Sequence, residues 1–428
     1  MSRGDDWITY SARAKVWPEY ANNVTHQALW RQISRLAATG AATASAIAAA
    51  SWIVPAVRGV RPALGATSRE VRADLAQRSG AVPATGSANT HPSNRKPNGK
   101  FRNALPPSEI AEGAKRDAVG DVLTKRSAGR PDRPVPLAHD DFPDAAAPLA
   151  LTWLGHASAV VEIDGFFVLV DPVWSDRVSP SNTVGPQRLH AAPTPLASLP
   201  QVDAIVISHD HYDHLDKATV IALVDQHQAP FIVPLGIGAH LRRWGVPSVV
   251  IVELDWNREH VISRSDGAEL RVVCTEARHF SGRGLTQDDT LWASWALIGP
   301  EHRVFFGGDT GPTPGFSAIG RDYGPFDLAL LPIGAYNPLW PDIHLNPEEA
   351  VATHLQVMAK VLLPIHWATF NLAFHPWVEP VRRLIAAAEV HEVPLVIPRP
   401  GQRVVLPGND GDGFPPLEPW WEAAVGSD

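Results

Sequence analysis

The sequence predicts a layered α/β domain, and three observations carry the prediction. Short apolar runs of strand length recur between residues 149 and 407. Helix-length stretches lie between them. Turns bearing histidine and aspartate follow several of the runs, as expected where strand ends are gathered on one face of a layered sheet.

Taken in order, residues 166–170, 204–207, 231–233, 249–252, 270–275, 304–306 and 328–331 read as strands. Residues 217–227 and 347–358 read as helices. No internal repeat is visible. The chain has 428 residues, 45% of them hydrophobic, and a formal net charge of −8. That balance supports a globular core and gives no electrostatic case for a nucleic-acid partner. Cys274 is the only cysteine, so intrachain disulfides are excluded. Its apolar setting reads as a core position.

Residues 1–95 differ from the rest. Residues 36–57 carry no charge and are mostly Ala, Thr, Ser, Ile and Val, over about the length of a membrane span. Their alanine content makes insertion marginal. Arg31 and Arg35 before the stretch and Arg58 and Arg61 after it leave orientation open. Ala63-Leu64-Gly65-Ala66 resembles a signal-peptidase site, although the polar lead is long for a signal peptide. A membrane anchor, a plain Ala-rich helix and a cleaved export signal therefore all stay open. With them stay a cytoplasmic, a membrane-associated and an exported location. Residues 77–100 read as a linker and 131–148 as a second extended segment. The expected division is an N-terminal extension (1–95), a connecting segment (96–148), the main domain (149–408) and a C-terminal tail (409–428).

The densest chemistry lies in Ser208-His209-Asp210-His211-Tyr212-Asp213-His214, an H-x-H-x-D-H run directly after residues 204–207. Imidazoles and a carboxylate on one short loop at a strand end are donors for Zn²⁺ and related ions. His279 follows the run 270–275, Asp309 follows 304–306, and His366 follows 361–365. His209, His211, Asp213, His214, His279, Asp309 and His366 are too many donors for one tetrahedral ion. They suit two ions sharing a carboxylate. The set tolerates Zn²⁺, Mn²⁺ or Fe²⁺.

With these residues in place, the chain resembles the metallo-β-lactamase superfamily, and within it the N-acylphosphatidylethanolamine-hydrolysing phospholipase D group. The resemblance runs over residues 99–403. It rests on Phe101-Arg102-Asn103, Thr152-Trp153-Leu154-Gly155-His156-Ala157-Ser158, Asp171-Pro172-Val173-Trp174-Ser175 and residues 208–216. It continues through Glu253-Leu254-Asp255-Trp256, Trp292-Ala293-Ser294-Trp295, residues 307–311, Pro332-Ile333-Gly334-Ala335-Tyr336, residues 344–350 and Ile365-His366-Trp367-Ala368-Thr369-Phe370. The resemblance implies an αββα sandwich with an N-terminal extension and a site at one edge of two packed sheets. It implies two Zn²⁺ per chain, one on His209, His211 and His279, the other on Asp213, His214 and His366, with Asp309 on both. The chain departs from the β-lactamases that use Cys where Asp309 stands, which favours phosphoester or thioester hydrolysis.

The implied activity is that of a zinc phosphodiesterase of phospholipase D type. A hydroxide shared by the two ions would attack the phosphorus of an N-acylphosphatidylethanolamine-like lipid, without a covalent enzyme intermediate. Asp213 is expected to orient or deprotonate the water as well as bind metal. His344 is the expected non-ligand catalytic group, hydrogen bonding a phosphate oxygen or the leaving group; packing at the helix entry is the alternative. Tyr212 and Tyr336 are candidates for substrate contact or for packing. His156 is expected to support the ligands without touching metal. His190, His227, His240, His260, His302, His354, His375 and His391 read as surface or packed histidines. The pair Asp288-Asp289 receives no role. Trp153, Trp174, Trp256, Trp292, Trp295, Trp340 and Trp367 either line an apolar groove or pack in the core, with packing favoured for most. Membrane association through residues 36–57 would suit a phospholipid substrate, and a homodimer is implied by the resemblance alone. Two other readings compete: hydrolysis of a small soluble phosphoester or sugar-phosphate lactone on the same scaffold, and a non-catalytic metal-bearing binding protein.

Overall fold

The structure, a computed structural model, describes residues 59–78, 93–110, 128–406 and 416–426. A short ribbon, β1 (Asn94–Arg95) and β2 (Phe101–Arg102), precedes two larger sheets. The first is seven-stranded and contains β3 (Leu149–Gly155), β4 (Ser158–Ile163), β5 (Phe166–Val170), β6 (Ala204–Val206), β7 (Phe231–Pro234) and β8 (Ile251–Leu254). The second contains β9 (Arg258–Ser263), β10 (Glu269–Thr275), β11 (Ser294–Ile298), β12 (Arg303–Phe306), β13 (Phe326–Pro332) and β14 (Ala359–Ile365). The last strand, β15 (Arg403–Val405), returns to the first sheet and pairs antiparallel with β3.

Strands β3 to β7 are buried at every position. Both faces are covered, which is why they read as continuous apolar runs instead of alternating ones. Leu151, Trp153, Val161, Val168, Val170 and Val206 face the core shared with the second sheet. Their neighbours Leu154, Val160, Phe167, Leu169, Ile205 and Ile207 face helices α2 (Lys217–Gln226) and α3 (Ile237–Arg243). On the second sheet pack α4 (Gly315–Tyr323), α5 (Pro347–Val357) and α6 (Glu379–Val390), through Phe316, Ile319, Val351, Val381 and Leu384. The layers run helix, sheet, sheet, helix, the αββα order expected.

The expected elements occur with small shifts at their ends. Asp216 caps α2 by accepting from the Ala218 amide at 3.1 Å. Asn346 and Glu349 form a reciprocal capping box at the start of α5, with Pro347 at its first position. The strand expected at 249–252 begins at Ile251, because Ser248–Val250 forms a 3-10 turn with Val249 exposed. Cys274 is buried in β10 opposite Trp295.

Two terminal pieces contribute more than their composition suggests. Residues 59–78 include α1 (Ser68–Arg78), which packs against α3 and buries Val71 and Leu75. Arg242 on α3 binds Asp74 of α1 and reaches Glu253 at 2.7 Å. The Asp288-Asp289 pair acquires a role here. Lys96 reaches Asp288 at 2.8 Å and the Ser68 hydroxyl donates to Asp289 at 2.5 Å. At the other end Trp420 and Trp421 insert among Trp153, Trp367 and Trp377. The apolar segment 36–57 lies outside the described residues. Among the described residues no helix is long and apolar enough to cross a membrane.

Candidate metal centre

Strand direction gathers the site. β3 and β5 are each antiparallel to β4, and β6 is parallel to β5, so their carboxyl ends share one edge of the first sheet. In the second sheet β10 and β12 are each antiparallel to β11, and β13 and β14 continue parallel to β12. Their carboxyl ends also share one edge. His156, Asp171 and the 208–214 loop leave the first sheet; His279, Asp309 and His366 leave the second. The His366 amide donates to the His156 carbonyl at 3.0 Å, joining the two edges. His156, Asp171 and His366 all have positive φ, at 53°, 39° and 61°. Such backbone costs energy in non-glycine residues and tends to gather at functional sites. Gly308, at φ 58°, has no room for a side chain, since a Cβ there would lie 2.6 Å from the Ser208 Cβ.

All seven donors expected from the sequence converge. One group is His209, His211 and His279. His211 Nδ1 lies 2.8 Å from His209 Nε2 and 3.2 Å from His279 Nε2. A second group holds Asp213, His214 and His366, with His156 beside them. The Asp309 carboxylate stands between the groups. Its Oδ2 is 3.0 Å from both His214 Nε2 and His366 Nε2, and 3.9 Å from both His209 Nε2 and His279 Nε2.

The hydrogen bonds around the ring fix which nitrogens face inward. His214 Nδ1 donates to Asp171 Oδ2 at 2.6 Å. The Ser208 hydroxyl donates to Asp171 at 2.6 Å and so accepts from His209 Nδ1 at 2.9 Å. His279 Nδ1 donates to the Ile343 carbonyl at 2.9 Å. In each case Nε2 is left as the inward donor, the arrangement that orients a ligating imidazole. His214 Nε2, His366 Nε2 and Asp309 Oδ1 are buried without a hydrogen-bond partner. The 3.0 Å approaches to Asp309 are therefore not aligned as hydrogen bonds. Unpaired buried donors and acceptors aimed at common points are costly alone and fit divalent cations.

Electrostatics agree. Burial above all, then neighbouring imidazoles, hold His209 and His279 well below the usual histidine range, in the neutral ligating form. Burial would raise Asp309, but His214, His366 and His344 pull it well below the carboxylate range. Burial would lower His366, but Asp309 and Asp213 push it up to about 9. Cation loading therefore competes with protons at this site.

Sequence reasoning left Asp171 without a role. The signal was positional: it is the first acid after β5, whose parallel neighbour β6 leads into the ligand loop. Asp171→Asn is expected to lower metal affinity about 10- to 100-fold, the usual effect of disturbing an outer partner. Chelator competition on the purified variant checks this; unchanged affinity would remove Asp171 from the site.

The remaining candidates separate. His156 Nε2 hydrogen bonds Asp213 Oδ2 at 2.9 Å. His344 Nδ1 lies 3.7 Å from Asp309 Oδ2, and its ring stacks on His366 at 4.9 Å. His344 also lines a cleft of about 340 Å³ with Tyr336, Pro338, Phe374, His375 and Arg383. The Tyr336 hydroxyl donates to Glu379 at 2.7 Å while its ring stacks on His375. Tyr212 turns elsewhere: its hydroxyl donates to the Arg283 carbonyl at 2.5 Å. Trp153, Trp256, Trp292, Trp295 and Trp367 are buried core residues, and Trp174 and Trp340 are half-buried. Both half-buried indoles are tied to backbone carbonyls, Trp174 to Thr194 and Trp340 to Ala335.

Comparison with known proteins follows the same lines. A family model described as a beta-lactamase superfamily domain matches residues 167–367. The chain is 52% identical over 387 residues to an uncharacterized protein of Mycobacterium tuberculosis, covering 89% of this chain and 97% of that one. It is 40% identical over 244 residues to N-acyl-phosphatidylethanolamine-hydrolyzing phospholipase D 1 of Caenorhabditis elegans, covering 55% of this chain and 68% of that protein. It is 32% identical over 225 residues to a UPF0173 metal-dependent hydrolase of Pyrobaculum aerophilum, covering 52% of this chain and 86% of that protein.

Proposed function

Because this chain belongs to the metallo-β-lactamase superfamily, in the group of the N-acylphosphatidylethanolamine-hydrolysing phospholipases D, and is a metal-dependent hydrolase, we propose that it is a dinuclear zinc phosphodiesterase acting on N-acylphosphatidylethanolamine-like lipids. The likeness to the Caenorhabditis elegans phospholipase carries the substrate class. The donor geometry supports the chemistry.

His209, His211 and His279 would hold one ion, Asp213, His214 and His366 the other, and Asp309 both. Two divalent cations supply Lewis acidity and a water activated at neutral pH. The chain's own residues do the rest. His156 holds Asp213 Oδ2 in place, leaving this carboxylate fixed in orientation beside the attacking water. His344, between Asp309 and the cleft, donates a hydrogen bond to a phosphoryl oxygen or to the departing oxygen. Water adds to phosphorus, the bond from phosphorus to the ethanolamine oxygen breaks, and the proton lost by water ends on that oxygen. Phosphatidic acid and an N-acylethanolamine leave. The cleft presents Tyr336, Phe374 and proline rings beside Glu349, Glu379 and Arg383. Aromatic and proline rings beside a guanidinium suit an anionic phosphodiester headgroup with an amide-linked acyl chain entering from an apolar phase.

The test is hydrolysis of N-acylphosphatidylethanolamine in mixed micelles by the purified protein, with metal content measured on the same sample. About two metals per chain with N-acylethanolamine released is the expected result. The same metal content without release would move the substrate to small soluble phosphoesters or lactones.

A further inference from the structure

We infer that Arg283 is a positioning residue that ties the N-terminal segment at Ala63 to the metal-ligand loop, making that segment part of the metal centre. The inference rests on the proposed metal site but not on the lipid substrate. Arg283 is 5% exposed. Its guanidinium spends its hydrogen bonds on backbone carbonyls from two directions. Nη1 donates to the carbonyls of Asp210 and Leu215 at 2.7 and 2.8 Å. Nε and Nη2 donate to the Ala63 carbonyl at 3.1 and 3.0 Å. The two loop carbonyls bracket His211, Asp213 and His214. The grip is reciprocal, since Tyr212, inside the bracket, donates to the carbonyl of Arg283 and lies under its guanidinium at 4.1 Å.

A second route runs beside the first. The Ala66 amide donates to His240 Nδ1 at 2.9 Å. That bond leaves the ring proton on Nε2, which faces Asp210 Oδ2 at 3.4 Å. Asp210 also accepts from the Gly282 amide at 2.7 Å and from Thr290 Oγ1 at 2.9 Å. Asp210 sits between the ligands His209 and His211 in the chain. Both routes from residues 63–66 therefore end at one residue flanked by metal ligands. A planar five-donor fork is needed to hold three carbonyls at once; an ammonium group cannot reproduce it. Burying a guanidinium for a remote surface segment is expensive, and the setting of the ligand loop gives that burial a purpose.

Two substitutions in the full-length chain test this from opposite ends. Arg283→Lys keeps the charge and loses the fork. Gly65→Ala acts from the N-terminal segment, because a Cβ there would lie 2.3 Å from His240 Nδ1 and the backbone is at φ 73°. Arg403→Lys is the control: it loosens a structural pair with Glu162 (2.6 Å) that touches no ligand. The readouts are zinc affinity by chelator competition and the visible spectrum of the cobalt-loaded protein, with far-UV circular dichroism for folding. Arg283→Lys and Gly65→Ala are expected to weaken metal binding about 10-fold or more and to alter the cobalt spectrum. Arg403→Lys should change thermal stability alone. Wild-type metal affinity in both test variants would overturn the inference, as would effects no different from the control. A wild-type protein that binds metal but leaves the lipid intact would sink the substrate assignment and leave this one standing.

Discussion

Asp309→Asn is expected to strip most of the metal from the protein and to lower turnover by about 10³-fold or more. The carboxylate is 1% exposed and lies within 3.9 Å of inward ring nitrogens from both donor groups. No other carboxylate among the described residues stands between them. Asparagine has the same shape, so the packing around Gly308 and Ser208 survives. What changes is charge and the number of oxygens. An amide offers one oxygen in place of two and turns an N–H toward imidazole nitrogens that need to point at a cation. Loss of the carboxylate also removes the largest influence holding His366 up at about 9 against burial. Burial then drives that imidazole toward its neutral form, with Asp213 alone still opposing it, so less unpaired charge is left buried. The checks are metal content, turnover and far-UV circular dichroism on one preparation. Near-normal zinc and turnover would refute the dinuclear arrangement.

Much of this was legible in the sequence, and the reasons are physical. The ligand loop stood out because no ordinary core or surface role calls for three histidines and two aspartates in six residues after a buried strand. The strands β5, β6, β7, β12 and β13 were legible because burial on both faces makes their centres uninterrupted apolar runs, and β10 because Leu270, Val272, Val273 and Cys274 are buried around half-buried Arg271. β9 was not, since half-exposed Arg258, Glu259 and His260 leave it without an apolar signature. Helix α4 was hidden by Pro312, Pro314, Gly315 and Gly320. The last is required by packing, since a Cβ there would meet the Gln356 carbonyl at 2.4 Å. Helix α1 shows only Val71 and Leu75 as buried residues in eleven positions. Its stability comes from α3 and from the carboxylates that Arg242 holds, none of which a local window contains. The same limit applied to Asp171, Arg283 and His240. Each acts through a partner 37 or more positions away. Composition assigns the C-terminal tail no contacts, and these come from packing at long range: Trp421 is 1% exposed and meets Trp367, next to the candidate ligand His366.

His344→Ala is expected to leave metal content intact and to lower turnover about 10²- to 10³-fold. Two features separate His344 from the donors. It sits on the loop entering α5, beyond the strand edges that supply His279, Asp309 and His366. It also lines the cleft where a headgroup would enter. Its Nδ1 is 3.7 Å from Asp309 Oδ2, between the 3.0 Å approaches of His214 and His366 and the 3.9 Å of His209 and His279, so position on the loop and in the cleft, not distance, sets it apart. That nitrogen is buried without a hydrogen-bond partner and faces the same space as Asp309 and His366, so metal content, measured beside turnover, is what distinguishes a substrate donor from a ligand. The ring is also held still, stacked on His366 and edge-on to His279 at 5.3 Å. A donor fixed before substrate arrives stabilises developing charge without reorganising. Truncation should therefore act on kcat more than on KM, and His344→Gln, which keeps an N–H, should recover part of the loss. Zinc lost from His344→Ala in proportion to activity would make His344 a ligand, and the catalytic role would pass to another residue of the cleft.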